Sequence, residues 1–131
     1  MPSPPYSRAQ ASIETLLAFI IFLSALGMVY AASTRLAAAS QSRLDTSLSQ
    51  SSFSDFAAKL QSACALGSGN VREVEVKGNA ATLASPAGNS VVFTAGKFTS
   101  AANSSCEISL ATSAPSRSFR IENRDGTLEI S

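Results

Sequence analysis

Hydrophobic positions along this chain fall into three successive regimes: first unbroken, then helical, then alternating. From residue 15 to residue 34 no side chain is charged and most are apolar. Twenty residues rising 1.5 Å each make a helix about 30 Å long, the thickness of a bilayer's hydrocarbon core. Glu14 and Arg35 bound the run. Pro2, Pro4 and Pro5 are expected to keep the first residues out of the helix. Arg8 is the only basic side chain before the run. Together with the initial amine it favours an inside N-terminus and export of the remainder.

After Arg35 the helical period continues but becomes amphipathic. Leu36, Leu44 and Leu48 mark one side, while Phe53, Phe56, Ala57, Leu60, Ala63 and Cys64 recur at three- and four-residue steps on another. At 100° per residue the two groups do not share a face. Either the stripe rotates along the helix or the helix bends in the Ser-rich stretch 47–54, whose helix propensity is middling. Gly67 is suited to a left-handed cap that ends it. A continuous helix over residues 11–66 spans about 84 Å.

From Asn70 the period falls to two. Val71, Val74 and Val76 lie among charged residues and lead to a Gly78-Asn79 turn. Strands are expected over 81–84, 91–94, 106–111, 118–123 and 127–131, with turns at 86–89, at Gly96 and at Asp125-Gly126. Residues 99–105 read as a polar loop. Five or six short strands joined by tight turns predict an antiparallel sheet. One face packs on the helix around Phe56 and Leu60, with Phe93, Ile108, Phe119, Ile121, Leu128 and Ile130 as core. The fold class is therefore α+β: a long N-terminal helix on a small β head, in a lollipop arrangement. Its divisions are residues 10–66 for the helix and 67–131 for the head.

Composition narrows the chemistry. With 131 residues the chain has room for one small domain and an accessory element. Ten basic and nine acidic residues alternate without blocks, unlike the basic footprint of a nucleic-acid binder. There is no histidine, the commonest acid–base catalyst and metal ligand. Serines are plentiful, but no G-x-S-x-G accompanies them. Gly67-Ser68-Gly69 is not followed by the Gly and Lys of a phosphate loop. No enzyme activity, cofactor or metal site is expected. Cys64 and Cys106 are too few for an all-Cys metal site. Beside an export-type segment they read naturally as a disulfide joining the last helical turn to the head; two buried free thiols are the alternative. Asn103-Ser104-Ser105 satisfies the N-glycosylation pattern.

Three readings compete for the N-terminal run. A cleaved secretory signal has a shorter apolar stretch, although Val29-Tyr30-Ala31 offers a small-residue site. A plain membrane anchor fits the length but gives Glu14 no role. The third reading makes the carboxylate functional, as ionisable groups beside intramembrane runs usually are; a helix-start carboxylate favoured by the macrodipole is compatible with it. Gly27 and Ala31, four apart, with Ser24 and Ala25 a turn earlier, would allow close helix approach, though such residues are common in membrane helices anyway.

Arg8-Ala9-Gln10-Ala11-Ser12-Ile13-Glu14, followed at once by the apolar run, resembles the processing site of archaeal type IV pilin-like precursors with class III signal peptides. Such precursors have a short basic leader, a small residue before the cut, then Gln-x-Ser-x-Glu and a hydrophobic helix; Ala9 stands where many have glycine. The resemblance implies cleavage between Ala9 and Gln10, a leader of residues 1–9, and Glu14 as the fifth mature residue, pairing with the N-terminal amine of a neighbouring subunit. It further implies a structural subunit of a surface filament, with adhesion as its role. The expected partners are copies of itself through the N-terminal helices, a prepilin peptidase, a pilus assembly platform, and the membrane before assembly. A membrane-anchored extracellular binding module and a minor pilin are the alternatives.

Overall fold

The computed structural model describes the backbone of residues 6–131 and the side chains of residues 12–131; the expectation for Pro2, Pro4 and Pro5 lies outside them. One helix precedes seven strands: α1 (Tyr6–Ala65), β1 (Val71–Glu75), β2 (Ala81–Ala87), β3 (Ser90–Ala95), β4 (Phe98–Asn103), β5 (Glu107–Leu110), β6 (Ser118–Arg124) and β7 (Thr127–Ile130). The chain divides into two units, residues 1–41 and residues 42–131, and α1 supplies helix to both. Among the described residues α1 is helical from Tyr6, at least four residues before the expected start at Gln10.

In the second unit α1 is unbroken through residues 47–54; Leu44 and Leu48 are exposed, and the buried stripe is the one that holds Phe56, Leu60 and Ala63. The buried stripe also begins a turn earlier than its apolar residues. Ser49 and Ser52 are buried ahead of Phe56, Leu60 and Ala63. Ser52 is satisfied there: its Oγ accepts the Lys77 N–H at 2.9 Å and donates to the Leu48 carbonyl at 2.9 Å. Small hydroxyl side chains thus let the backbone after β1 lie against the helix. Gly78 continues that approach, with φ of 91° and the Leu48 side chain 3.6 Å from where a Cβ would stand.

The α+β class with a small, largely antiparallel β head is as expected, and the head is built from two sheets. One has the order β1-β6-β7-β5, the other β2-β3-β4. Most pairs are antiparallel, but β5 lies parallel to β7, with Ile108 opposite Leu128. The chain reaches β6 from β5 through 111–117 and pairs β6 with β1, which leaves the free edge of β7 to β5. Both sheets contribute to one core with the helix: Phe56, Leu60, Phe93, Ile108, Phe119, Ile121, Leu128 and Ile130 are all buried, as their alternation predicts. Phe53 and Phe56 of the helix meet Phe93 with ring centroids 5.8 and 5.7 Å apart.

Residues 99–105 are not the loop expected. Residues 98–103 form β4, in register with β3 from Ala95 opposite Phe98 to Ser90 opposite Asn103. The alternation is present but carried by small side chains, with Phe98, Ser100 and Ala102 facing in, so polarity hid it. The Asp125-Gly126 turn is as expected: Asp125 has φ of 52° and Gly126 of 90°, the left-handed pair of a tight hairpin. Gly67 likewise takes φ of 82° just past the helix.

Two ties fix the end of the helix. Cys64 and Cys106 form a disulfide with Cα atoms 5.8 Å apart; Cys106 immediately precedes β5. Asn123, buried on the inward face of β6, donates from Nδ2 to the Ala63 carbonyl at 2.9 Å and accepts the Gly126 N–H at 3.1 Å. Its own N–H donates to the Asn70 carbonyl and its carbonyl accepts the Gly69 N–H. One residue therefore joins the last helical turn, the segment after it and the β6–β7 turn.

Both ties give measurable expectations. Replacing Cys64 and Cys106 by Ser should lower unfolding free energy in urea by about 4 kcal/mol, the chain-entropy value for a loop of about 43 residues. Asn123→Ala should cost about 1–3 kcal/mol, because it leaves a buried carbonyl and a turn N–H unpaired. Unchanged urea midpoints would deny these ties their role.

Candidate functional site

The sequence places the working residues in two groups, and each lies in one unit. The first group is on α1 in residues 12–41. Every one of those side chains is exposed, and each large apolar one from Ile13 to Tyr30 is at least 50% exposed. The helix is long and apolar enough to cross a membrane. Its apolar surface runs all round, not along a stripe. The hydroxyls inside it do not spoil that surface: Ser24, Ser33 and Thr34 each donate to a carbonyl about one turn back, at 2.8, 2.8 and 3.0 Å. Each polar side chain so bonded presents little unmet hydrogen-bonding capacity to an apolar surrounding.

Glu14 is exposed, and no ion pair reaches it among the described residues. It stands eight residues beyond Tyr6, more than two turns into the helix. The macrodipole acts within about the first turn, so it does not account for Glu14 in the uncleaved chain. Gly27 and Ala31 share a face with Ser24, and nothing lies within 4 Å of a Cβ built on Gly27. At 100° per residue that face is about 110° around the helix from Glu14; the two features are not one patch. Arg8, Ala9 and Gln10 lie in the helical backbone of α1, and their side chains are outside the described residues.

The second group is in residues 42–131. Cys64 is brought to Cys106 by the disulfide and to Asn103 across one groove. Cys64 and Asn103 line a groove of about 460 Å³ with Gln61, Ala65, Ser104 and Ser105. A shallower groove of about 610 Å³ follows the outward face of α1 along Ser47, Gln50, Ser51, Ser54, Asp55 and Ala58. Among the described residues no group of three or more Cys, Asp or Glu side chains is placed to hold a metal.

Charge is organised on the outer face of the four-stranded sheet. Glu122 of β6 sits directly opposite Glu129 of β7, an unfavourable like-charge pairing. Arg124 resolves it by reaching both carboxylates, Nε to Glu122 at 3.0 Å and a terminal nitrogen to Glu129 at 2.9 Å. That hydrogen bond from Arg124 holds the Glu122 carboxyl below its ordinary range, with the charges of Arg124 and Arg120 acting in the same direction and desolvation opposing them. The same bond raises the Arg124 guanidinium. The arrangement is electrostatic bracing of a sheet face.

The residues that sequence reading passed over are Asn123, Ser49 and Ser52. Asn123 was legible only through parity, since it follows Phe119 and Ile121 at every second place. No family model, characterised protein or solved structure matches this chain.

Glu122 provides a pH test. A carboxyl lowered in the folded state stabilises above its unfolded value and loses that contribution as pH falls through its folded one. A pH titration followed by NMR should place the Glu122 midpoint below that of an ordinary glutamate. Arg124→Ala should move it upward, and an unmoved midpoint would contradict the bracing.

Proposed function

We propose that the chain is a structural subunit of an archaeal type IV pilus-like surface filament that assembles through its hydrophobic N-terminal helix. The observation that carries this reading is the all-round exposure of apolar side chains between Ile13 and Tyr30, directly after the processing-type sequence that ends in Glu14. Such a surface needs cover on every side. Lipid supplies it first, and neighbouring helices supply it after extraction from the membrane. Cleavage between Ala9 and Gln10 by a prepilin peptidase creates a new amine four residues before Glu14. In the assembled core, amine and carboxylate neutralise each other across subunits, where an unpaired charge would be costly. Gly27 and Ala31 permit close approach of helices. The disulfide accords with a head on the oxidising side of the membrane, and adhesion is the role the resemblance implies.

A membrane-anchored extracellular module that never polymerises uses the same helix, but leaves the carboxylate beside it without work. Two measurements separate these readings. Mass spectrometry of the mature chain should find Gln10 at the N-terminus; a start near Ala32 points to an ordinary signal and an intact Met1 to an anchor. Glu14→Leu should leave the disulfide-linked head folded and abolish filaments, because breaking a buried pair costs about 3–5 kcal/mol per subunit. Filaments of normal yield from that variant would sink the pairing role.

A further inference from the structure

The chain has five asparagines, and only Asn103 has a serine or threonine two places on. The fold treats this tripeptide selectively. Asn103 closes β4, an edge strand of the three-stranded sheet, with its side chain exposed. Its backbone is held opposite Ser90, while no hydrogen bond holds its carboxamide among the described residues. Ser105, two places on, is exposed as well. The middle residue is the committed one: Ser104 is buried, its N–H donates to the Asn89 carbonyl at 2.9 Å, and its Oγ accepts the Cys106 N–H at 3.1 Å. The fold therefore anchors the tripeptide through its middle residue and leaves free the two side chains that the acceptor pattern requires.

We propose that Asn103 is an N-glycan attachment site whose first sugars lie in the adjoining groove and shield the Cys64–Cys106 disulfide. The donor is a lipid-phosphate-linked oligosaccharide. The Asn103 Nδ2 forms a bond to the anomeric carbon while the bond from that carbon to the phosphate oxygen breaks. The lipid phosphate leaves with the electron pair, and a base takes one amide proton. Asn103 and Cys64 both line the groove of about 460 Å³. Both cysteines are only half-buried, and the groove gives an approach to Cys64. A glycan rooted three residues before Cys106 covers that approach. It also blunts the end of an edge strand whose free backbone groups otherwise invite pairing.

This rests on the export of the head in the proposed function, and not on polymerisation. The test is peptide mapping of the protein purified from its own cells. The peptide carrying Asn103 should bear a glycan mass, lost in Asn103→Gln and in Ser105→Ala and retained in Ser105→Thr. Reduction of the folded protein by dithiothreitol should be several-fold faster for Asn103→Gln than for the modified chain. An unmodified Asn103 overturns the proposal. A glycan that leaves the reduction rate unchanged overturns the shielding. The N-terminal peptide of the same digest reads processing independently: Gln10 at the terminus with a bare Asn103 defeats this inference alone, and a modified Asn103 with an unprocessed terminus defeats the filament reading alone.

Discussion

The strongest physical constraint in this chain is an apolar helical surface that is costly to leave in water. Twelve large apolar side chains from Ile13 to Tyr30 are each at least half exposed. Covering what remains exposed is worth on the order of 1 kcal/mol per side chain, so about 10 kcal/mol in all. That equals the whole net stability of an ordinary domain. No local adjustment of residues 12–41 could supply it, because those residues form one helix with no second element of their own to pack against. Cover would have to come from outside these residues, and the apolar run alone does not distinguish a membrane anchor from an assembling helix.

The second unit solves the opposite problem. A head built from residues 42–131 has a small core, and domains of that size are marginal. It compensates by drawing α1 into that core and fastening the helix end twice. The disulfide limits the unfolded chain. Asn123 satisfies helix, loop and turn from one buried position. Ser52 lets the backbone at Lys77 come close to the helix, where a larger apolar side chain would hold it off.

Much of this was legible because alternation and helical spacing report burial directly. Phe56, Leu60, Phe93, Phe119, Ile121, Leu128 and Ile130 all lie in the core that their periods predict. The Asp125-Gly126 and Gly67 conformations follow from local sterics and were equally readable. What escaped was structure carried by small or polar residues. In β4 the inward places go to Phe98, Ser100 and Ala102, a pattern too weak in hydrophobicity to separate from a loop. Ser52 is buried against the backbone at Lys77, and Asn123 by what it bonds. The parallel β5–β7 pair escaped for another reason: it depends on which edge is left open after β6 has paired with β1, a global matter that no local period encodes.

For the helix in residues 12–41, the same limit applies with different consequences. Hydrophobicity alone specifies that the surface be covered and says nothing of register, since apolar contacts slide at little cost. A carboxylate at one edge of such a surface changes that. Buried unpaired, Glu14 is penalised by several kcal/mol in every arrangement but those that bring a cation to it. A single ionisable residue can thus convert a non-specific tendency to cluster into one permitted stagger. This role needs no partner within its own chain, which is consistent with Glu14 standing exposed and without an ion pair among the described residues. On the proposed filament reading, the apolar run would provide the free energy of assembly and Glu14 its geometry.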